Sequence, residues 1–160
     1  MRFFILIIAM LFSISSQATN TKEACNGAKG KKHVLGGGFV AITAFVENTV
    51  MVDKNAQVCD HAVVRGESRI LDFAIVGGNA HLDWSPTISG QAIILGNAQI
   101  GGQALVTNQA YVVQDAQVGG NAQIYGRAII GGNARIEGTA KIGGNRIIGG
   151  DRVIEEGVLE

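Results

Sequence analysis

Residues 91–144 read QAIILG NAQIGG QALVTN QAYVVQ DAQVGG NAQIYG RAIIGG NARIEG TAKIGG, nine six-residue blocks with no insertion between them. The second residue of each block is Ala and the fourth is Ile or Val, whereas the sixth is usually Gly and the first is polar. A short fixed period with an aliphatic residue at the same place in every block predicts a solenoid, in which stacked repeats bury one continuous core.

The same register extends in both directions, from Gly37 to Glu156. Over these twenty blocks the fourth position is always Val, Leu or Ile, and the second position is Ala in fourteen of them. The six other residues at the second position are Gly38, Val50, Ser68, Pro86, Arg146 and Arg152. Because the two arginines break the rule for small residues, we expect the last coils to pack more loosely than the rest.

Strand alternation assigns each position of the block to one side of the chain. Residues two apart in an extended segment point the same way, so positions 2 and 4 should face the core and positions 3 and 5 the solvent. Gly at position 6 and Asn at position 1 tolerate positive φ better than other residues. We therefore expect these two positions to turn the corner between short strands.

The outward positions indicate how many blocks make one turn of the coil. When position 3 is sorted by three blocks, one row is apolar apart from Gln57, and this row consists of Phe39, Gln57, Ile75, Ile93, Tyr111, Ile129 and Ile147. Sorting by two blocks instead mixes isoleucine with glutamine and arginine in both rows. The sequence therefore predicts an all-β fold wound as a triangular coil, with about 6–7 coils of 18 residues.

The blocks resemble those of the hexapeptide-repeat family, whose pattern is aliphatic, any, Gly, Asn, Ala, any. That pattern appears at residues 130–135 as IGGNAR and, with Gln in place of Asn, at residues 100–104 as IGGQA. The resemblance covers about three quarters of the chain and implies a left-handed parallel β-helix, a handedness opposite to that of most crossover connections. It does not imply one function, because this fold carries acyltransferases, carbonic anhydrases, antifreeze proteins and plain scaffolds.

The first 18 residues have the features of a secretory signal peptide. Arg2 forms a short basic region, residues 3–12 are an apolar run, and Ser16 to Ala18 offer small residues at the spacing of a cleavage site. The run is too short to span a bilayer, and no later segment is longer, so we expect no integral membrane segment. Cleavage near Ala18 would place the mature protein in the periplasm or outside the cell; a buried first strand or helix is the alternative.

The remaining chain divides into an N-terminal cap at residues 19–36, the repeat region at 37–156 and a C-terminal tail at 157–160. Removal of the leader takes away only Arg2, which leaves 12 basic against 13 acidic residues. Near neutrality argues against a nucleic acid bound by bulk charge. A basic string at Lys29 to His33 is interpreted as a solvated face of the cap, with an anion-contact site as the alternative.

Cys25 and Cys59 are the two cysteines of the chain. One lies in the cap and the other at an outward position of the early coils. In an oxidising compartment an isolated pair of this kind predicts a disulfide. In the chain-entropy model a loop of this size gives a stabilisation of about 3–4 kcal/mol. No Cys and His spacing typical of zinc accompanies them, and we expect no metal and no cofactor.

Two groups of polar residues are candidates for catalysis. Three histidines, His33, His61 and His81, do not repeat the close histidine pair of the carbonic anhydrases built on this fold. His81 lies two residues from Asp83, so it could act as a general base oriented by a carboxylate in an acyltransferase-like enzyme. The alternative, which we favour, is a surface ladder in which Glu47, Arg65 and Asp83 stack at 18-residue intervals beside the histidine.

The apolar row suggests a contact surface. The candidate interface residues are Ile75, Ile93, Leu95, Tyr111, Val113, Ile129 and Ile147. A contiguous exposed apolar patch normally marks an interface, although the cap could also cover this one. The sequence therefore favours an exported, non-catalytic β-helix that serves as a rigid structural or binding module and self-associates as a dimer or trimer. It does not identify any further protein or glycan partner.

Overall fold

The computed structural model describes residues 24–160. The predicted signal peptide and the first five residues of the predicted cap, 19–23, lie outside the described part of the chain. One short 3-10 helix, Ala24–Gly27, precedes 22 short strands in the described residues, so the predicted all-β class is confirmed.

The strands form three sheets, and successive strands of the coil pass from one sheet to the next. Sheet A contains β1 (Gly30–Lys32), β2 (Phe39–Ala41), β5 (Gln57–Val58), β8 (Ile75–Val76), β11 (Ile93–Ile94), β14 (Tyr111–Val112), β17 (Ile129–Ile130) and β20 (Ile147–Ile148). Sheet B contains β3 (Phe45–Val46), β6 (Val63–Val64), β9 (His81–Leu82), β12 (Gln99–Ile100), β15 (Gln117–Val118), β18 (Arg135–Ile136) and β21 (Val153–Ile154). Sheet C contains β4 (Met51–Val52), β7 (Arg69–Ile70), β10 (Thr87–Ile88), β13 (Leu105–Val106), β16 (Gln123–Ile124), β19 (Lys141–Ile142) and β22 (Val158–Leu159).

The pairing register confirms the three-sided coil. Parallel neighbours are 18 residues apart in all three sheets, as in Ile93 with Tyr111 on sheet A, and Gln99 with Gln117 on sheet B. The one departure is the last pair of sheet C, in which Lys141 pairs with Val158, 17 residues later. Strand β22 lies within the segment predicted as a tail, and it therefore continues sheet C after a coil that is one residue shorter.

The core follows the predicted alternation of the block. Ala at position 2 and the aliphatic residue at position 4 are almost all fully buried, as Ala92 and Ile94 are. A fully buried aliphatic side chain contributes roughly 1.5–3 kcal/mol, so the stack is the main source of stability. Towards the C-terminal end Ile148 is still buried, whereas Ile154 is only partly buried and Arg146 and Arg152 are exposed.

The corners of the coil are turned by position 6 alone. From Asp60 to Gly150 every residue at position 6 has positive φ, including the non-glycine residues Asp60, Asp72, Trp84, Asn108 and Gln114. Asn at position 1 was expected to share this conformation, but it does not. Its side chain instead bonds along the coil axis, as when Asn97 Nδ2 donates to Asp115 Oδ1 at 2.8 Å.

The cap covers the N-terminal end of the core. Strand β1 pairs antiparallel with β2, and the backbone N–H of Val52 donates to Leu35 O of the cap at 3.0 Å. His33 is buried, and its Nε2 donates to the backbone oxygen of Val50 at 2.9 Å. Cys25 and Cys59 form the predicted disulfide, with 5.3 Å between their Cα atoms.

Candidate functional site

The apolar row lies on sheet A as one continuous line. The register places Ile93 between Ile75 and Tyr111, and Ile129 between Tyr111 and Ile147. We call this surface face A, and its residues are Ile75, Ile93, Leu95, Tyr111, Val113, Ile129 and Ile147. Since neighbouring strands are about 4.8 Å apart, the row from Ile75 to Ile147 is about 19 Å long.

The side chains of face A shield one another to different degrees. Ile147 is 56% exposed at the end of the row, whereas the side chains between it and Ile75 are partly exposed. Val113 is only 6% exposed, so it supports the row from the side and adds little accessible surface. Leu95 lies over Gly77, because a Cβ on that glycine would lie 3.0 Å from Leu95 Cδ2. Face A is therefore flat and apolar on both outward positions.

The described part of the cap bounds face A at one end. The disulfide attaches the short helix to β5, and the backbone N–H of Cys25 donates to Gln57 Oε1 at 3.1 Å. Gln57 is the one polar residue of the row, and here it serves to hold the cap. The apolar stretch begins one coil later, at Ile75, so residues 24–36 do not cover it.

The predicted charge ladder stacks by backbone, but its side chains do not pair. Glu47 N–H donates to Val64 O, and Arg65 N–H donates to Leu82 O, as the 18-residue register requires. The Glu47 carboxylate accepts instead from the backbone N–H of Gly66 at 2.8 Å. The Arg65 guanidinium lies 5.7 Å from the centre of the Phe45 ring. Within residues 24–160 the only ion pair is Arg135 with Glu137, at 3.5 Å.

The histidines lie in three different surroundings. His33 is part of the cap, whereas His61 and His81 are exposed on separate positions of the coil. His81 stacks on Val63 and Gln99 in sheet B, and no hydrogen bond joins it to Asp83 in the described part of the chain. No group of three His, Cys, Asp or Glu residues that could hold a metal occurs among residues 24–160.

A shallow groove lies at the corner between sheets C and A. It is lined by Gly90, Gln91, Asn108, Gln109, Gly126 and Arg127. Gln109 Nε2 donates to Gln91 Oε1 at 3.3 Å, and Arg127 Nε donates to Gln109 Oε1 at 3.0 Å. These two hydrogen bonds join side chains of three successive coils into a ladder along this corner.

Trp84 follows Asp83 at the corner between sheets B and C. It occupies position 6 with a φ of 76°, and its residue is 75% exposed. The available signal was a tryptophan at a corner position where the pattern expects glycine.

Chain positions 24–160 contain no helix with the length and apolarity needed to cross a membrane.

Comparison of the chain with protein-family models, with curated proteins and with solved structures finds no match. Its function is therefore argued from these surfaces.

Proposed function

We propose that the protein is an exported, non-catalytic β-helix that works as a rigid structural or binding module and dimerises through face A. The observation that supports this proposal is the continuous apolar row from Ile75 to Ile147, which the described cap leaves open. Apolar patches of this extent on soluble proteins are commonly contact surfaces. A second copy of the chain is the simplest occupant, because face A offers an apolar surface that is complementary to itself.

The order of residues in the row favours a two-fold dimer. The row reads Ile75, Ile93, Tyr111, Ile129 and Ile147, which is symmetric about Tyr111. A two-fold axis through Tyr111 would set tyrosine against tyrosine at the centre and isoleucine against isoleucine on both sides of it. In an isologous contact each surface must fit itself in this way, whereas a trimer carries no such requirement.

The size of face A sets the expected strength of the association. A surface about 19 Å long and one strand pair wide covers a few hundred Å², which is small for a stable protein interface. We therefore expect a concentration-dependent dimer with a Kd of about micromolar order.

The repeat pattern, the disulfide and the N-terminal residues support a more specific assignment. The hexapeptide pattern supports a member of the hexapeptide-repeat class with left-handed coils. The disulfide and the signal-peptide features of residues 1–18 support export to the periplasm or beyond the cell. The flat outer surfaces, with no inserted loop in the repeat, support a module that presents side chains on a stiff frame.

Charge placed in the middle of face A tests the proposal. Ile93→Arg combined with Ile129→Arg would bury two like charges in the contact, so we expect the variant to sediment as a monomer at concentrations where the parent chain dimerises. Analytical ultracentrifugation over a concentration series measures the change.

Thr87→Arg combined with Gln123→Arg is the matched control. These residues occupy the same block position on sheet C, and they are also two coils apart. The control should keep the native mass. A parent chain that is monomeric at all concentrations, or an Ile93 and Ile129 variant with unchanged mass, would overturn the proposal.

A further inference from the structure

Trp84 lies in a conformation that suits glycine. In its row at the corner between sheets B and C, four of the equivalent residues are Gly66, Gly102, Gly120 and Gly138, all with positive φ; only the two ends of the row differ. A bulky side chain is disfavoured in this region, and such outliers concentrate at functional sites. The indole is nonetheless 75% exposed, so burial in the core does not offset the strain.

The four other non-glycine corner residues with positive φ make a compensating hydrogen bond that Trp84 lacks. Each side chain accepts from the backbone N–H of the glycine 18 residues later, over distances of 2.6–3.4 Å; the pairs are Asp60 with Gly78, Asp72 with Gly90, Asn108 with Gly126 and Gln114 with Gly132. An indole has no acceptor atom of this kind. The folded chain therefore gains nothing visible from tryptophan at this corner.

The indole stands at one end of a shallow trough. A Cβ built on Gly101 would lie 4.0 Å from Trp84 Cδ1, so the ring leans over the next coil. Gly119 follows one coil further, and a Cβ there would meet only the Glu137 side chain, at 3.9 Å. Neither glycine has a positive φ, so the backbone does not require glycine at these two positions. Their effect is to leave the floor open between Trp84 and Glu137.

Amide side chains flank this floor. Gln99 and Gln117 lie on sheet B, and Gln103 and Asn121 follow the corner on the other side. None of the four makes a side-chain hydrogen bond to another residue in the described part of the chain. At the corner between sheets A and B, by contrast, Asn79 Nδ2 donates to Asn97 Oδ1 at 3.2 Å. The trough therefore combines one exposed aromatic ring with several unengaged donors and acceptors.

We propose that this trough binds a neutral glycan made of hexose or N-acetylhexosamine units. A pyranose ring offers an apolar C–H face that can lie against the indole, while its hydroxyl groups match amide donors and acceptors. Single-stranded nucleic acid also stacks on aromatic rings, but it requires a positive groove. Here Arg135 is paired with Glu137, and the acidic residue Asp83 directly precedes Trp84 in the chain. The site is separate from face A and does not depend on dimerisation.

The single tryptophan of the chain makes the site directly measurable. Tri-N-acetylchitotriose and maltotriose do not fluoresce, so titration of the full chain with each of them reports on Trp84 alone. We expect a saturable change in its emission with at least one of the two, together with protection from acrylamide quenching. Isothermal titration calorimetry then gives the affinity of each variant.

Three variants separate binding from folding. Trp84→Gly restores the residue of the row, so it should stay folded and lose about ten-fold or more in affinity. Gln99→Ala combined with Gln117→Ala should weaken binding several-fold while the indole remains. Gln123→Ala removes a partly exposed amide from sheet C and should bind as the parent chain does.

Two results would overturn the proposal. One is the lack of a saturable signal with both oligosaccharides; the other is a folded Trp84→Gly variant that binds with unchanged affinity. The variant with Ile93→Arg and Ile129→Arg should bind as the parent does, because its changes lie on face A. Failure of glycan binding would therefore leave the dimer proposal standing, and the reverse also holds.

Discussion

At the scale of single residues, adjacent glycines of the repeat have different roles. Gly102 has a φ of 64°, and a Cβ there would lie 2.6 Å from the backbone oxygen of Gly120. Gly101 has no positive φ, and its Cβ would meet only the edge of Trp84 at 4.0 Å. The first glycine is therefore needed by the backbone, whereas the second leaves room on the surface.

Alanine at each glycine tests this difference. Gly102→Ala should lower the free energy of unfolding by about 2 kcal/mol or more, because left-handed backbone is disfavoured and the corner must also shift. Gly101→Ala should change it by less than about 0.5 kcal/mol, as expected for a surface substitution. Urea unfolding followed by circular dichroism measures both, and equal losses would contradict the assignment.

The sequence predicts residue roles well where the block is uniform. Ala at position 2 and Ile at position 4 follow from strand alternation, and Ala98 and Ile100 lie in the core as expected. The corners are harder to predict, since Asn at position 1 could either adopt positive φ itself or use its side chain for a hydrogen bond. Asn79 bonds along the axis and leaves the turn to position 6. Trp84 departs from the glycine rule and could be noticed only as an exception to it.

At the scale of elements, strand β22 depends on a few contacts made by Glu160. Tyr125 OH donates to the Glu160 carboxylate, and Arg146 Nε donates to the backbone oxygen of Glu160 at 2.7 Å. The Tyr125 ring lies over Gly143, where a Cβ would be 2.2 Å from the ring. These contacts fasten the strand that closes sheet C.

The hydrogen bond to Glu160 raises the pKa of Tyr125 above its ordinary value of 10.0. The neutral phenol is favoured in the folded chain, so its contribution to stability is complete below pH 10 and is lost as pH rises through the raised pKa. We expect β22 to loosen only in that alkaline range. Absorbance titration of the phenolate should find one tyrosine ionising late.

Tyr125→Phe and Glu160→Ala are the variants that check this assignment. The first should remove the late ionisation, and the second should return it to the ordinary range. Tyr111→Phe is the control, since it removes the other tyrosine of the chain. An unchanged late transition in the Glu160→Ala variant would show that the carboxylate does not cause the shift.

Elements at the two ends of the coil were the least predictable. Strand β1 consists of Gly30, Lys31 and Lys32, whose polar sequence gave no strand signal, and it forms only because β2 offers an open edge. Strand β22 breaks the 18-residue register by one residue, so the six-residue pattern ends at Glu156 and does not predict this strand. In both cases tertiary pairing decides the structure where local pattern does not.

At the scale of the whole molecule, the interior and the exterior of the coil obey different rules. Most blocks are equivalent inside, because position 2 is Ala in fourteen of the twenty and position 4 is always aliphatic. They differ outside, where only every third block contributes to face A. The sequence therefore predicted the fold and the row from periodicity. It could not predict that Arg65 would lie against Phe45 rather than pair with its charged neighbours.

Deletions of different length separate these two rules. Removing residues 109–126 takes out one full coil and joins Asn108 to Arg127, which keeps every later strand on its own sheet. Removing only residues 109–114 moves each later strand back by one sheet, so Gln117 and Arg135 would follow Ile93 on face A. Because the blocks are equivalent inside, both variants should fold, with circular dichroism typical of a β-protein and a single unfolding transition.

The larger deletion should keep the dimer, and the smaller deletion should lose it. The 18-residue deletion keeps Ile75, Ile93, Ile129 and Ile147 in line, so it should still dimerise, though more weakly than the parent chain. The six-residue deletion retains more of the chain but interrupts face A with an amide and a charge, so it should sediment as a monomer. If the shorter deletion dimerised and the longer one did not, a continuous apolar line could not be what holds two copies together.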